Sequence, residues 1–325
     1  MRKQTAIRLR GEVEAFYDAV AEDFSRTRRR PWSDFEKFVP YLPTGGRVLD
    51  VGCGNGRLLK WLPSSSFFSY LGVDVSRELL ELARKEHRGS KIHFKKGDAL
   101  NLPVNDQSYD AIFCIATLHH IPSREFQLKT LAEFYRALSP KGYLFLTVWD
   151  LYRPAYIFRH LGAFLRGQPK ELFIPWGSGD GVPAGHRRYC HAFTMRELRG
   201  LLRDAGFEVM ASYTLGRGNA GNHLIVARPF LRSRVSEKTN ILGVELNAVT
   251  LNEAVEAVKH FLYSGGQHYV VTPNPEILLK ACDDPDYRSI LNRASLKVPD
   301  GAGLLWASSF VVGRPSRLMR LLFGL

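Results

Sequence analysis

Between Arg47 and Ala227 short apolar runs alternate with amphipathic stretches. Arg47-Val-Leu-Asp-Val reads as a buried strand. Six more runs follow it: Tyr70-Leu-Gly-Val-Asp, Lys91-Ile-His-Phe, Tyr109-Asp-Ala-Ile-Phe-Cys, Gly142-Tyr-Leu-Phe-Leu-Thr-Val, Phe207-Glu-Val-Met-Ala-Ser and His223-Leu-Ile-Val-Ala. Between them, near 56–62, 77–87, 123–138 and 194–204, apolar positions recur at helical spacing. Two further helical patterns, near 12–29 and 33–41, precede the first strand. The alternation predicts an α/β fold: a seven-stranded, mostly parallel, doubly wound sheet with N-terminal helices. Residues 151–190, rich in Gly, Pro, Arg and aromatics, break the alternation. An insertion of that length is expected to be functional or disordered. The polar stretch 230–240 reads as a linker. After it a second βα pattern begins, with helical patterns near 250–262 and 275–292 and strands near 268–272 and at 296–298. The expected division is therefore 1–229, a linker at 230–240, and a partial α/β domain at 241–325.

Candidate chemistry sits where strands end. Val48-Leu-Asp-Val-Gly-Cys-Gly-Asn-Gly56 leads from the first strand into a loop with glycines at 52, 54 and 56, and a helical pattern follows. Glycine allows a sharp turn and lets a ligand touch the backbone, while a helix start offers free N–H groups. Such a loop suits NAD, FAD or S-adenosylmethionine. Its spacing is GxGxG, not the GxGxxG of dinucleotide sites. Asp50, just ahead of it, would repel a pyrophosphate but accept a hydrogen bond from an ammonium. Asp74 ends the second strand, placed for two ribose hydroxyls, and Asp98 follows the third, placed for an adenine amino group. Any one of these acids reads equally well as a turn or cap residue. Three at successive strand ends favour S-adenosylmethionine, which carries no phosphate.

With those residues in place, the stretch from Tyr17 to Ala227 resembles the class I S-adenosylmethionine-dependent methyltransferases, a Rossmann-like fold. The matching pieces are Asp50-Val-Gly-Cys-Gly-Asn-Gly, Gly72-Val-Asp-Val-Ser, Gly97-Asp-Ala, Asp110 to His120 and Leu138-Ser-Pro-Lys-Gly-Tyr. The resemblance implies S-adenosyl-L-methionine as cofactor. It would be held by Tyr17, Asp50, Gly52, Cys53, Gly54, Asn55, Gly56, Asp74, Val75, Asp98, Ala99, Ile115 and Ala116. The three glycines would face the methionine moiety, Asp74 the ribose, and Asp98 with Ala99 the adenine.

Thr27-Arg with Pro31-Trp, Leu118-His-His-Ile, Val148-Trp149 and Arg188-Tyr-Cys-His-Ala-Phe-Thr further resemble the tRNA wobble-uridine carboxymethyl methyltransferases, which esterify a carboxymethyl group. This implies tRNA as acceptor, faced by Arg28, Trp32, Arg187, Arg188, Tyr189 and His191. A carboxylate is already ionised at neutral pH, so His119 and His120 are expected to position rather than deprotonate. Two departures stand out: Ser123-Arg-Glu-Phe where that family has paired arginines, and, in the late segment Gly218 to Ala227, Gly221-Asn-His where it has an Asn-Trp pair. Two other readings stay open. One is methylation of an envelope glycan or lipid-linked intermediate; the other is a non-catalytic cofactor-binding partner subunit.

Charge sharpens the choice of partner. The 325 residues carry 45 Lys+Arg against 32 Asp+Glu, a net +13. Eleven basic against five acidic residues lie between 151 and 229. That excess falls in the segment the cofactor fold explains least, and it points to tRNA or another polyanionic acceptor. A small partner subunit is also left open. The four cysteines form no CxxC pair and no zinc pattern; a reducing, cytoplasmic setting without a metal is expected. No apolar run approaches the roughly 18 residues of a membrane span, and the basic N-terminus lacks the apolar segment of a signal peptide.

Residues 241–309 resemble the N-terminal half of the WecG/TagA/CpsF glycosyltransferases. The matches are Ile241-Leu-Gly-Val, Thr272-Pro-Asn-Pro-Glu-Ile-Leu, Asn292-Arg-Ala-Ser and Val298-Pro-Asp-Gly-Ala-Gly. The resemblance implies a remnant site at Thr272, Asn274 and Asp300, with Asp300 as base. Residues 314–325 leave the family pattern, so the piece is expected to be truncated and inactive in glycosyl transfer.

Overall fold

The computed structural model describes residues 1–28, 32–159, 170–176, 187–216, 221–230, 238–249, 251–264 and 267–301. The chain divides into two units, Met1–Arg228 and Pro229–Leu325. In the first, strands β1 (Gly46–Val51), β2 (Phe67–Asp74), β3 (Ile92–Lys96), β4 (Tyr109–Ile115), β5 (Leu138–Trp149), β8 (Phe207–Leu215) and β9 (Asn222–Pro229) form one seven-stranded sheet. Its order is β3-β2-β1-β4-β5-β9-β8. The first five strands run parallel and β9 runs antiparallel to β5. The expected α/β sheet is thus observed. The chain reverses direction across the sheet between β1 and β4, the point where open α/β sheets form a ligand crevice.

Both sheet faces are covered, which is why β1 reads as a nearly continuous apolar run rather than an alternating one. On one face Phe35 and Phe38 join Val48, Tyr70, Phe113, Phe145 and Val226 in a single core. Phe113 and Phe145 stack at 4.5 Å. On the other lie α3 (Arg77–Glu86) and α4 (Arg124–Ala137). Each starts at a serine whose hydroxyl accepts a backbone N–H: Ser76 from Leu79 and Ser123 from Phe126. Thr194 caps α6 (Met195–Asp204) in the same way, from Glu197.

The elements ahead of the sheet differ from the sequence expectation. The helical pattern at 12–29 is two helices, α1 (Lys3–Ala19) and α2 (Ala21–Thr27), and α1 begins well upstream. Ala6, Leu9, Val13 and Phe16 form its buried stripe. Residues 33–41 form a 3₁₀ helix with Pro40 inside it. The element after the glycine loop is also 3₁₀ and only four residues long, Arg57–Lys60. The free N–H groups of a full α-helix are therefore not what the loop presents.

The insertion at 151–190 is not wholly irregular. It starts with α5 (Pro154–Arg159) and contains β6 (Glu171–Pro175) paired antiparallel with β7 (Arg187–His191). Its remaining residues, 160–169 and 177–186, lie outside the described ones, as do Arg29 and Arg30.

In the second unit β10 (Lys238–Ile241) and β11 (Val244–Asn247) make a hairpin that begins inside the stretch expected to be a linker. Its two-residue turn, Leu242-Gly243, has both φ angles positive, at 54° and 85°. After α7 (Leu251–Ser264), β12 (Val270–Val271) pairs parallel with β13 (Leu296–Lys297). The single helical pattern at 275–292 is two helices, α8 (Pro275–Asp283) and α9 (Pro285–Arg293), because Asp284 caps and Pro285 starts a new one. Ile241, Val244, Leu246, Leu278, Ala281 and Leu291 form the core of this unit. The tail at 314–325 lies outside the described residues.

Candidate active site

The carboxyl ends of β1, β2 and β4 and the loop after β3 open into a cavity of about 270 Å³, flanked by α1 and the 3₁₀ turn at Arg57. The glycine loop forms its floor. The Gly52 and Cys53 N–H groups donate to Val73 O at 2.7 and 3.2 Å, tying the loop to the end of β2. Gly52 and Gly54 have φ of 72° and 55°. A Cβ on Gly52 would collide with the Thr117 side chain. Both a left-handed backbone and a close approach therefore require glycine there. Gly56 is different. It also has positive φ, but a Cβ would meet His87 and Phe94, and the residue does not line the cavity. It is a packing glycine that caps the 3₁₀ turn, which corrects its expected place at the methionine moiety.

Asp74 is held by the loop it supports. Its carboxylate accepts from Gly54 N at 2.8 Å and from Ser76 N at 2.9 Å. Burial raises its pKa against those backbone bonds. Asp50 lies on the floor, 2% exposed, and accepts from the Tyr70 hydroxyl at 2.7 Å. Burial pushes its carboxyl up to about 7, against that hydrogen bond and with the nearby Asp74 charge adding. Asp98 pairs with Arg10 of α1 and accepts from Leu100 N at 2.9 Å. Ala116 follows β4 at φ 52°, a strained conformation for a non-glycine residue, with its N–H on the Thr147 hydroxyl at 2.9 Å.

The opposite wall is aromatic and cationic. Arg188 of β7 is 5% exposed, and its guanidinium lies 4.5 Å from the Trp149 ring, 5.1 Å from Trp176 and 5.5 Å from Phe16. Its Nε is buried without a partner. Arg28 stacks on the Trp176 ring at 4.7 Å, and Arg57 on Trp32 at 4.6 Å. His120 takes two bonds, Nδ1 to Tyr189 O and Nε2 to the Tyr17 hydroxyl, both 2.8 Å. A carbonyl can only accept, so Nδ1 carries the proton and Nε2 accepts from Tyr17. Burial and the Arg188 charge pull the His120 pKa down to about 3. Burial, with His120, does the same to His119, whose ring lies 4.8 Å from Trp149. Neither imidazole is therefore charged at neutral pH. His119, His120 and the Cys190 thiol offer ligand atoms within 4.8 Å of one another. However, both His120 nitrogens are engaged, and the neighbouring Arg188 charge repels a cation.

Of the residues expected at the cofactor, Tyr17, Asp50, Gly52, Cys53, Gly54, Asn55, Asp74, Val75, Asp98, Ala99, Ile115 and Ala116 line this one cavity. Arg28, Trp32, Arg188 and His120 line it too, while His119 stands behind. Three residues expected at the acceptor do not. Arg187 is exposed on β7 and outside the cavity. Tyr189 is buried with its hydroxyl on Glu171. His191 is buried between Glu171 and Glu197, at 3.4 and 3.2 Å. Strand alternation separates them: Arg188 turns inward to the cavity, while the carboxylates that hold the hairpin claim Tyr189 and His191. Sequence reasoning missed Arg10, Arg57 and Thr117 in the lining and Trp176 beside Arg188, and it read Trp149 only as part of a motif. Arg57 directly follows the glycine loop and was visible as such. Trp176 had no signal, because its place depends on the β6–β7 pairing.

In the second unit Asp300 N donates to Pro273 O at 2.9 Å, bringing the loops of Thr272 and Asp300 together at one end of the β12–β13 pair. Asn274 caps α8, its side chain accepting from Ile277 N at 2.9 Å; its carboxamide oxygen thus serves the helix.

Comparison with known proteins decides the family. Residues 24–212, more than half of the chain, match the methyltransferase domain family. The chain belongs to that family. It is an S-adenosylmethionine-dependent methyltransferase, and residues 239–321 match the glycosyl transferase WecG/TagA/CpsF family. Among curated relatives, the methyltransferase is 31% identical over 201 residues to a protein of Encephalitozoon cuniculi named as a methyltransferase, covering 61% of this chain and 88% of that one. The tRNA (carboxymethyluridine(34)-5-O)-methyltransferase of Arabidopsis thaliana is 36% identical over 137 residues, 42% of this chain and 32% of the relative. The chain thus spans about a third of that relative's length. The enzyme of the same name from Schizosaccharomyces pombe is 27% identical over 215 residues and is 89% covered. An S-adenosylmethionine-dependent methyltransferase from Methanosarcina mazei shares the fold with a TM-score of 0.51 at 24% identity, covering 61% of this chain and 98% of that one. Among the described residues no helix is long and apolar enough to cross a membrane.

The cavity suits the cofactor. Its floor is glycine backbone that a Cβ would clash with, and its polar groups at the strand ends are carboxylates. That combination fits a nucleoside without phosphates.

Proposed function

We propose that the methyltransferase unit esterifies a carboxylate on a tRNA uridine, the activity named for the plant and yeast relatives. The observation that carries this reading is Arg188. It is a buried guanidinium with an unpartnered Nε, boxed by Trp149, Trp176 and Phe16 at the cavity wall. Arginine so placed recognises a planar anion through paired N–H donors, and Trp149 beside it lines the same cavity. Asp74 would hold the ribose and Asp98 the adenine, Asp98 exchanging its Arg10 partner for the adenine amino group.

When bound, S-adenosylmethionine supplies an electrophilic methyl on a sulfonium. The protein's task is then placement. Arg188 aims the carboxylate, and the neutral His120 fixes the Tyr17 hydroxyl at the cavity edge. No group in the wall has to take a proton, because a carboxylate oxygen attacks as it stands. Arg187, exposed on the same hairpin, would touch backbone phosphate. The cytoplasm, where tRNA is handled under reducing conditions, is the compartment this reading implies.

The test is methyl transfer from labelled S-adenosylmethionine to tRNA that does or does not carry carboxymethyluridine. Transfer only to the carboxymethylated pool supports the reading. Transfer to glycan or lipid pools, with none to tRNA, would reject it.

A further inference from the structure

The basic excess between 151 and 229 is only partly absorbed by the cavity. Among its described side chains, Arg188 lines the cavity, and Arg153, Lys170 and Arg228 pair with carboxylates. Beyond the exposed Arg187, that leaves Arg196, Arg199 and Arg203, all exposed and all on α6. Their spacing of three and four residues sets them on one face of the helix. The opposite face is already used, since Leu198, Leu201 and Leu202 are buried. Two acids of α6 could neutralise the arginines, and both are engaged elsewhere. Glu197 holds Lys170 at 3.1 Å and His191 at 3.2 Å, and Asp204 pairs with Arg124. Among the described residues, none of the three guanidinium groups makes a hydrogen bond or an ion pair. Helix electrostatics does not account for the set: the dipole favours Arg203 in the last turn but opposes Arg196 in the first. The helix is also tied to the cavity wall. β7, which carries Arg188, ends at His191, α6 starts at Met195, and the Glu197 contacts clamp the helix to the hairpin.

We propose that this face of α6 docks the phosphate backbone of the RNA acceptor, resting the body of the substrate on the helix while its reacting group enters the cavity. Three unneutralised guanidinium groups in a row attract a polyanion. The apolar face of the same helix is buried and has nothing to insert into a lipid layer, which favours RNA over a membrane surface. Backbone contacts position without reading sequence, so the helix supplies affinity and the cavity supplies selectivity. The assignment rests on the RNA acceptor of the proposed function, but not on which group of that RNA is methylated.

The test follows tRNA binding by fluorescence anisotropy across a range of NaCl concentrations. The triple variant Arg196→Gln, Arg199→Gln, Arg203→Gln is expected to lower the salt slope by about 2 to 3 and to weaken binding at low salt by about tenfold or more. Its kcat at saturating tRNA and its S-adenosylhomocysteine affinity should stay near wild type. A control of equal charge loss, Arg77→Gln, Lys85→Gln, Arg88→Gln, removes three exposed cations in and just after α3 and should lower the slope by less than about 1. An unchanged slope in the α6 variant, or equal losses in the two variants, would overturn the docking surface. So would lost binding to phosphatidylglycerol vesicles with tRNA binding intact, which would make the face a membrane contact. Wild-type protein that binds tRNA with the α6-dependent slope but transfers no methyl to it would reject the proposed acceptor and keep the surface as an RNA contact. Wild-type protein that does not bind tRNA would overturn both.

Discussion

At Asp50 a single carboxylate in the cavity floor ties stability to pH. Its folded pKa of about 7 stands above the ordinary value of 3.8, so between those values the folded state holds more protons than the unfolded one. Its contribution to stability is therefore fully present below about pH 4 and is lost as pH rises through about 7. Asp50→Asn should remove that part of the pH dependence from thermal melts of the cofactor-free protein, and should weaken S-adenosylhomocysteine. Wild-type affinity for S-adenosylhomocysteine should rise with pH below about 7, approaching tenfold per unit, because the ammonium selects the ionised carboxylate. The histidines predict the opposite kind of result. With His120 held near 3 and His119 also depressed, kcat should show no inflection between pH 5.5 and 8 from either. Arg188→Gln should lower kcat/KM for the acceptor by about 10²-fold or more, the scale of removing one partner of a buried charge pair, with S-adenosylhomocysteine affinity near wild type. Arg188→Lys keeps the charge without the fork and should recover only part of that loss. Arg187→Ala should leave kcat alone and reduce the salt slope of tRNA binding by about 1. The sequence showed the glycines and acids because the chemistry fixes their type and spacing. It did not separate Gly56 from Gly52, since both take a positive φ and only the packing partner differs.

The β6–β7 hairpin is the element that, under the proposed function, would turn a cofactor fold into a site for an acceptor. It brings Arg188 to the wall, and two carboxylates hold it in place. Burial pulls the His191 imidazole down, but hydrogen bonds and charge from Glu171 and Glu197 outweigh it and hold the pKa above the ordinary value. That stability is fully present below the unfolded value near 6.5 and is lost as pH rises through the higher folded one. Hydrogen exchange in 171–175 and 187–191, corrected for the intrinsic pH dependence of exchange, should therefore quicken at alkaline pH, and His191→Gln should flatten the response. The hairpin was not legible in the sequence. Its strands are five residues each and separated by Gly- and Pro-rich chain, so periodicity had too few positions to act on. The two-helix character of α8 and α9 was written in Asp284-Pro285 and was overlooked because the apolar spacing runs through it. By contrast, the five parallel strands and α3, α4 and α6 were plain, since burial on both faces makes the strands uniformly apolar and serine or threonine caps start the helices.

For the whole molecule, the net +13 has a structural meaning in only some of its members. Arg10, Arg28, Arg57 and Arg188 line the cavity, and Arg10, Arg124, Arg136 and Arg228 pair with carboxylates. Charge counted along the chain singled out the segment 151–229, and within it folding sends Arg188 inward to the cavity and leaves Arg187 exposed outside it. The second unit has a core of its own and shares a family with glycosyltransferases, with the Thr272 and Asp300 loops meeting at one strand end. The most direct measurement is the alkali lability of the methyl group that purified protein transfers from labelled S-adenosylmethionine to tRNA bearing carboxymethyluridine. A methyl ester predicts label released by mild alkali as methanol, and none on tRNA lacking the carboxymethyl group. Alkali-stable label, or equal label on both tRNAs, would contradict it.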